Sequence, residues 1–332
     1  SAAVIDVDGD NASATEVSAN ILNVTVGKDV TLTTEDIGIV NLTVSAAATV
    51  TIDATATDID TLTVLGSANV VLEEAEELSG DTITDSTTGG TLTAVVDSDA
   101  VDATSWATTA VVKLSNVAVN DITVASGATV ELDVADTVDI ASVAATATTN
   151  TVTLDIDTAQ TSVTLSDIKT ATVNINNSSA VAVLAQSAFD SGNADTTVTV
   201  DADATGSSAA DVSYTTFDVG TGSAVITGTG DVDMGTSFEG VSLDASGLTG
   251  LLDVNDTVAN AATTIKGGSG ANVVQFATVT GTATYVGQNG GDTVTVDEID
   301  GTNNTTEGIV SITTGTGNDD INGEVAGAGD FG

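Results

Sequence analysis

The sequence predicts an all-β chain, a right-handed parallel β-helix or β-solenoid, with tandem β-sandwich domains as the alternative. Three observations predict it. Val, Ile or Leu alternates with Thr or Asp in short runs along nearly the whole chain, which is the period of half-buried strands. Aromatic residues make up only 2% and proline is absent. The 332 residues exceed one ordinary compact core, so the chain forms either two domains or one repeat structure.

The alternation is clearest in 40–44, 49–53, 61–65, 129–134, 151–157 and 196–201. In Thr151-Val152-Thr153-Leu154-Asp155-Ile156-Asp157 the apolar residues Val152, Leu154 and Ile156 share one face, and Thr and Asp share the other. One face makes core and the other meets water. Runs begin about every 8 to 12 residues, a spacing common to sandwiches, barrels and solenoids. Side-chain size favours the solenoid, because Ala, Val, Ile and Leu fill a narrow interior while a wide sandwich core calls for bulkier side chains. Two stretches, 73–79 and 184–189, interrupt the alternation and read as helical turns. The acidic run Glu73-Glu74-Ala75-Glu76-Glu77 reads as a solvated face.

Glycine divides the chain. Nine glycines fall in residues 1–200 and 24 in 201–332, which places a change of character near Gly206: a Thr/Ala/Val/Asp-rich β-domain over 1–205 and a Gly-rich one over 206–332. Glycine permits positive φ and close backbone approach, so the second part is expected to carry tight turns.

There are 48 acidic residues against four lysines (Lys28, Lys113, Lys169 and Lys266), giving a formal net charge of −44. Without clustered Lys or Arg the chain is no partner for nucleic acid, and it is not drawn to anionic membranes. No stretch approaches the roughly 20 apolar residues of a bilayer span, so no membrane insertion is expected. A mean hydropathy of +0.27 argues for folding despite the charge. Carboxylate repulsion has to be offset, and Ca²⁺, a hard cation that takes several oxygen ligands, suits an Asp-rich chain without His or Cys. The opening Ser1-Ala2-Ala3-Val4 has neither an initiator Met nor an apolar export core, and is expected to begin a mature chain or a fragment.

Three segments share one pattern: Gly267-Gly268-Ser269-Gly270-Ala271-Asn272-Val273-Val274-Gln275, Gly287-Gln288-Asn289-Gly290-Gly291-Asp292-Thr293-Val294-Thr295 and Thr314-Gly315-Thr316-Gly317-Asn318-Asp319-Asp320-Ile321-Asn322. Each resembles the RTX nonapeptide G-G-x-G-x-D-x-U-x, in which glycines expose carbonyl oxygens, the sixth residue supplies a carboxylate and the eighth starts an inward-facing strand. The first copy carries Asn272 where the template has Asp, the second has Gln288 for a glycine, and the third starts with Thr314. The copies lie 20 and 27 residues apart, which reads as isolated calcium sites in a looser β-helix. Asp292 and Asp319 are the leading ligand candidates; Gly268, Gly270, Asn272, Gly290, Gly315, Gly317 and Asp320 complete the set. The competing reading is that these are Gly-rich turns between strands.

Upstream, Phe238-Glu239-Gly240-Val241-Ser242-Leu243-Asp244-Ala245-Ser246-Gly247-Leu248-Thr249-Gly250, leading into Ile265-Lys266-Gly267-Gly268, resembles the segment before the Gly-Asp turns of bacterial surface-layer proteins with RTX-type C-terminal regions. The resemblance covers roughly residues 215–332. It implies type I secretion, folding when external calcium is met, and assembly into a lattice at the bacterial cell surface. At the other end Asp6, Asp8 and Asp10 resemble part of a calcium loop, with Gly9 and Glu16 out of step with EF-hand spacing.

Without His, Cys or Arg the chain lacks the usual general base, the thiol nucleophile and the guanidinium clamp. A two-carboxylate glycosidase is permitted by the acid content, but Trp106, Tyr214 and Tyr285 stand apart in sequence and offer no sugar platform. The reading is therefore a non-enzymatic, extracellular structural protein that partners itself in a lattice or filament and binds cell-surface polysaccharide. The alternative is a calcium-stabilised adhesin or stalk module.

Overall fold

The computed structural model describes residues 3–8, 20–35, 37–52, 59–97, 100–115, 121–132, 137–142, 151–156, 162–166, 168, 170–175, 184–190, 197–202, 212–235, 237–259, 262–299 and 308–323. The chain is a parallel β-solenoid. Every strand pairing among the described residues is parallel, which excludes the sandwich alternative, whose sheets are antiparallel. A coil takes 18 residues where Thr93 faces Val111 and 27 where Thr293 faces Asp320. Two strands per coil account for the strand spacing seen in the sequence.

The chain divides into two compact units, Ser1–Leu154 and Asp155–Gly332; Gly206 lies outside the described residues. In the first unit one sheet runs in order through Ala3–Asp8, Val30–Glu35, Ala48–Ile52, Val70–Glu73, Leu92–Val96, Val111–Leu114 and Ala128–Leu132. A second contains Ile21–Val26, Ile39–Val44, Thr61–Gly66 and Thr82–Thr87, and a third begins with Ala100–Ala103, Asp121–Val124 and Thr137–Ser142. The interior follows from the alternation. Val40, Leu42, Val50, Ile52, Leu62 and Val64 are fully buried, while outward Asn41 donates its Nδ2–H to Asn23 Oδ1 one coil away at 2.9 Å. Full burial of one such aliphatic side chain contributes about 1.5–3 kcal/mol.

The acidic run precedes Thr82–Thr87 in the chain and packs beside Leu92–Val96 and Ala100–Ala103. Ala75–Leu78 forms a 3-10 turn with Ala75 and Leu78 buried, as the broken alternation predicts. Glu74 enters it at φ 57°, a left-handed conformation unusual for a residue with a Cβ. Trp106 is buried and its Nε1–H donates to Leu78 O at 3.2 Å. The other expected turn is overturned: Leu184–Asp190 is a strand, paired in parallel with Val212–Asp218. Its place in the stack supplies backbone partners that local sequence does not advertise.

In the second unit one sheet passes through Thr170–Ile175, Thr197–Ala202, Ser223–Gly228, Ser242–Leu248, Ala262–Lys266, Thr282–Val286 and Ile309–Thr313. The other passes through Ser162–Ser166, Leu184–Asp190, Val212–Asp218, Val232–Asp233, Leu252–Ala259, Asn272–Val279, Thr293–Val296 and Asp320–Gly323. Tyr214 packs edge-on against Phe217, ring centres 4.9 Å apart, inside this unit.

Candidate functional site

The three RTX-like segments occupy the same corner of three successive coils. Each follows a strand of the first sheet (Ala262–Lys266, Thr282–Val286, Ile309–Thr313) and opens a strand of the second (Asn272–Val279, Thr293–Val296, Asp320–Gly323). Val273 faces Thr293, and Thr293 faces Asp320. The sixth residues of the pattern, Asn272, Asp292 and Asp319, therefore stand in one column. The expectation of isolated sites is corrected here: separations of 20 and 27 residues are one coil each, so the turns are stacked neighbours.

That column is apolar lower down. Leu252 faces Asn272 and Val232 faces Leu252, and both are fully buried. Asn272 and Asp292 are equally buried, so each must find hydrogen-bond partners inside the coil. They find them in each other. Asp292 Oδ1 accepts from the backbone N–H of Asn272 at 3.2 Å and from Asn272 Nδ2 at 2.8 Å. Asp292 Oδ2 accepts from the hydroxyl of buried Tyr285 at 2.9 Å. The backbone N–H of Asp292 in turn donates to Asp319 Oδ1 at 3.1 Å. Burial, then the hydrogen bond to Asp292, holds the Tyr285 hydroxyl well above its ordinary pKa, so it stays a donor. Hydrogen bonds to a carboxylate are the stronger kind, and this ladder ties three coils together at their corner.

The glycines have a packing reason. A Cβ on Gly250, Gly270, Gly290 or Gly317 would overlap the carbonyl oxygen of Gly230, Gly250, Gly270 or Gly290, respectively. They form a column in which each coil rests directly on the backbone of the one before. Gly268 sits likewise on Leu248 O and Gly315 on Gln288 O, and Gly290 and Gly315 have φ of 99° and 81°. Gln288, where the template has glycine, donates its Nε2–H to Ser246 O at 3.0 Å, two coils down.

Tyr285, Gly267 and Gly287 complete the site; in the sequence the two glycines stand in the repeat segments but not among the ligand candidates, and Tyr285 is weighed only as a platform for sugar. A Cβ on Gly287 would overlap Asp292 Oδ2, and one on Gly267 would lie 2.5 Å from the Tyr285 hydroxyl; both glycines make room for the ladder. The available signal is Tyr285 itself, one of two tyrosines in an aromatic-poor chain, two residues before a candidate turn.

The remaining candidates are placed elsewhere. Asp6 is exposed and, with Asp8, lies in the strand Ala3–Asp8, across from Thr33 and Glu35 and not in a loop. Asp10 lies outside the described residues. Asp320 is exposed on the last of the described coils, and Asp319 is half-buried there. Among the described residues no three carboxylates converge as a metal-binding group. Trp106, Tyr214 and Tyr285 are all buried, so none is a platform for sugar.

Comparison with protein-family models, with curated proteins and with solved structures finds no match for this chain.

Proposed function

We propose that the chain is a structural, non-enzymatic protein of the extracellular bacterial surface that assembles with copies of itself, with Ca²⁺ acting at the exposed carboxylates. The observation that carries the reading is the regular parallel stack, whose outward polar rows repeat from coil to coil: Asn23, Asn41, Thr63 and Thr84 stand in one row beside the buried Val24, Leu42 and Val64. A face that repeats in this way offers a second copy the same polar partners at each coil, which is a route to self-association.

Calcium fits some of the candidate residues and not others. Both oxygens of Asp292 are occupied by protein donors. The carboxylates of Asp319 and Asp320 are less enclosed, Asp319 half-buried and Asp320 exposed. They are the residues that would hold the ion, and its charge would relieve the repulsion between acidic surfaces that meet. Surface localisation and type I secretion are what the resemblance to surface-layer proteins implies, and cell-surface polysaccharide is the partner proposed besides the chain itself.

Sedimentation velocity and negative-stain imaging of the purified chain, with calcium and with excess EGTA, test the proposal. Ordered sheets or filaments with calcium support it. A chain that stays monomeric in both conditions sinks it and favours the stalk.

A further inference from the structure

Three oxygens converge on one point at the Gly267–Asn272 corner. Gly268 O, Gly270 O and Asp292 Oδ1 lie 3.3, 3.0 and 2.8 Å from Asn272 Nδ2. Such a point is what a hard cation seeks. Here an NH₂ group fills it, while Asn272 Oδ1 turns the other way and accepts the N–H of Gly268 at 3.0 Å. That bond fixes the amide: flipped, its oxygen would face three acceptors and its nitrogen a donor. The flank is closed as well, since a Cβ on Gly267 would come within 2.8 Å of Asn272 Nδ2 and 2.5 Å of the Tyr285 hydroxyl. Calcium, with six to eight oxygens at about 2.3–2.6 Å, has no room there.

We infer that Asn272 is a built-in substitute for a metal ion: its side-chain amide closes this rung of the ladder, which holds without calcium, and replacing that one nitrogen by oxygen turns the rung into a cation site. An aspartate at 272 would set an oxygen against Gly268 O, Gly270 O and Asp292 Oδ1 with no hydrogen among them, in a fully buried column. Only a cation or a proton relieves that arrangement. The residue that departs from the RTX template thus marks where metal dependence stops: calcium acts at the Asp319–Asp320 coil and not below it. The inference rests on the proposed function only in naming calcium as the ion of the Asp319–Asp320 coil.

The test is hydrogen exchange on peptides spanning Gly267–Asn272 in the full chain, with millimolar calcium or excess EGTA, together with calorimetric counting of bound calcium. The wild type is expected to exchange within about twofold of the same rate in both conditions. Asn272→Asp is expected to exchange about tenfold or more faster in EGTA, to recover with calcium, and to bind one more ion than the wild type. Opening of the wild-type rung by EGTA overturns the inference, and so does an Asn272→Asp chain that stays protected in EGTA and gains no ion. Should that variant fail to fold, the wild-type comparison decides alone. Asn272→Leu, which repeats the Leu252 rung below, provides a second arm. It should lose protection at the Gly268 amide in both conditions, and calcium-driven recovery there would also overturn the inference, because leucine offers no oxygen. Failure of assembly in the sedimentation experiment would remove the proposed function and leave this result untouched.

Discussion

The corners of the two units solve one problem in different ways. In the first unit, polar side chains at the turns capture backbone N–H groups of the next coil. Asp29 Oδ1 accepts from Thr49 at 2.9 Å, Asn69 Oδ1 from Thr91 at 3.1 Å, Ser79 Oγ from Asp102 at 2.9 Å and Ser126 Oγ from Thr151 at 3.1 Å. In the second unit, Asp231 Oδ1 still caps Leu251 at 2.7 Å, but from Asn272 upward the polar side chains point inward and reverse direction. There the residue of the upper coil, Asp292 or Asp319, accepts the N–H of the coil below. A solvent-side cap can be lost to water at modest cost. An inward ladder cannot, because nothing else in the core can accept or donate.

Glycine gives the largest expected effects, and they separate close backbone contacts, made by Gly66 and Gly90 in the first unit as by Gly290 in the second, from open turns such as that at Gly127. Gly290→Ala puts a Cβ onto Gly270 O at a φ of 99° and is expected to cost about 3 kcal/mol or more. Gly127→Ala in the first unit has the same handicap of positive φ, at 91°, yet its nearest neighbour would be 3.9 Å away, so about 1–2 kcal/mol of backbone strain is all it should lose. Paired thermal unfolding curves of the two variants give the comparison directly, and equal losses would mean that the glycine column is not a close-packed contact.

Next in size is the ladder itself. Tyr285→Phe leaves Asp292 Oδ2 buried without its donor, for an expected loss of about 1–3 kcal/mol. Asn69→Ala in the first unit frees Thr91 N–H at an exposed corner and should cost about 1 kcal/mol or less. Denaturant titration followed by circular dichroism ranks the two, and a larger loss at Asn69 would contradict the inward-outward distinction.

A pH effect separates the units further. Burial, then the hydrogen bond with Asp97, pushes the Glu76 carboxyl from its ordinary 4.5 up to about 7. Its contribution to stability is complete below 4.5 and is lost as pH rises through about 7, because the folded form then holds a desolvated charge. Glu76→Gln should flatten the stability profile of the first unit between about pH 4 and 8, measured as unfolding midpoint against pH; an unchanged slope would clear Glu76 of the effect. The smallest change is expected at the surface. Lys266 pairs with Asp244 at 2.7 Å, one coil apart and largely solvated, so Lys266→Ala should cost at most about 0.5–1 kcal/mol and vanish in high salt.

Period-two alternation of Val and Thr was sufficient to assign strands and faces from sequence. A Val152 or a Leu42 has only one buried side available, whatever lies next to it. Residue size was sufficient to choose a narrow coil over a sandwich, and the repeated Gly-x-Asx pattern located the corner at which the ladder stands. What lay one coil away was decided only by tertiary structure. Pairing in a parallel stack joins residues 18 to 28 positions apart, and no local signal carries that register. Asn272, Asp292 and Asp319 therefore looked like three separate turns, and the meeting of Tyr285 with Asp292 was invisible. Leu184–Asp190 became a strand because its neighbours in the stack offered partners, and the turn glycines proved to be the floor on which the next coil rests.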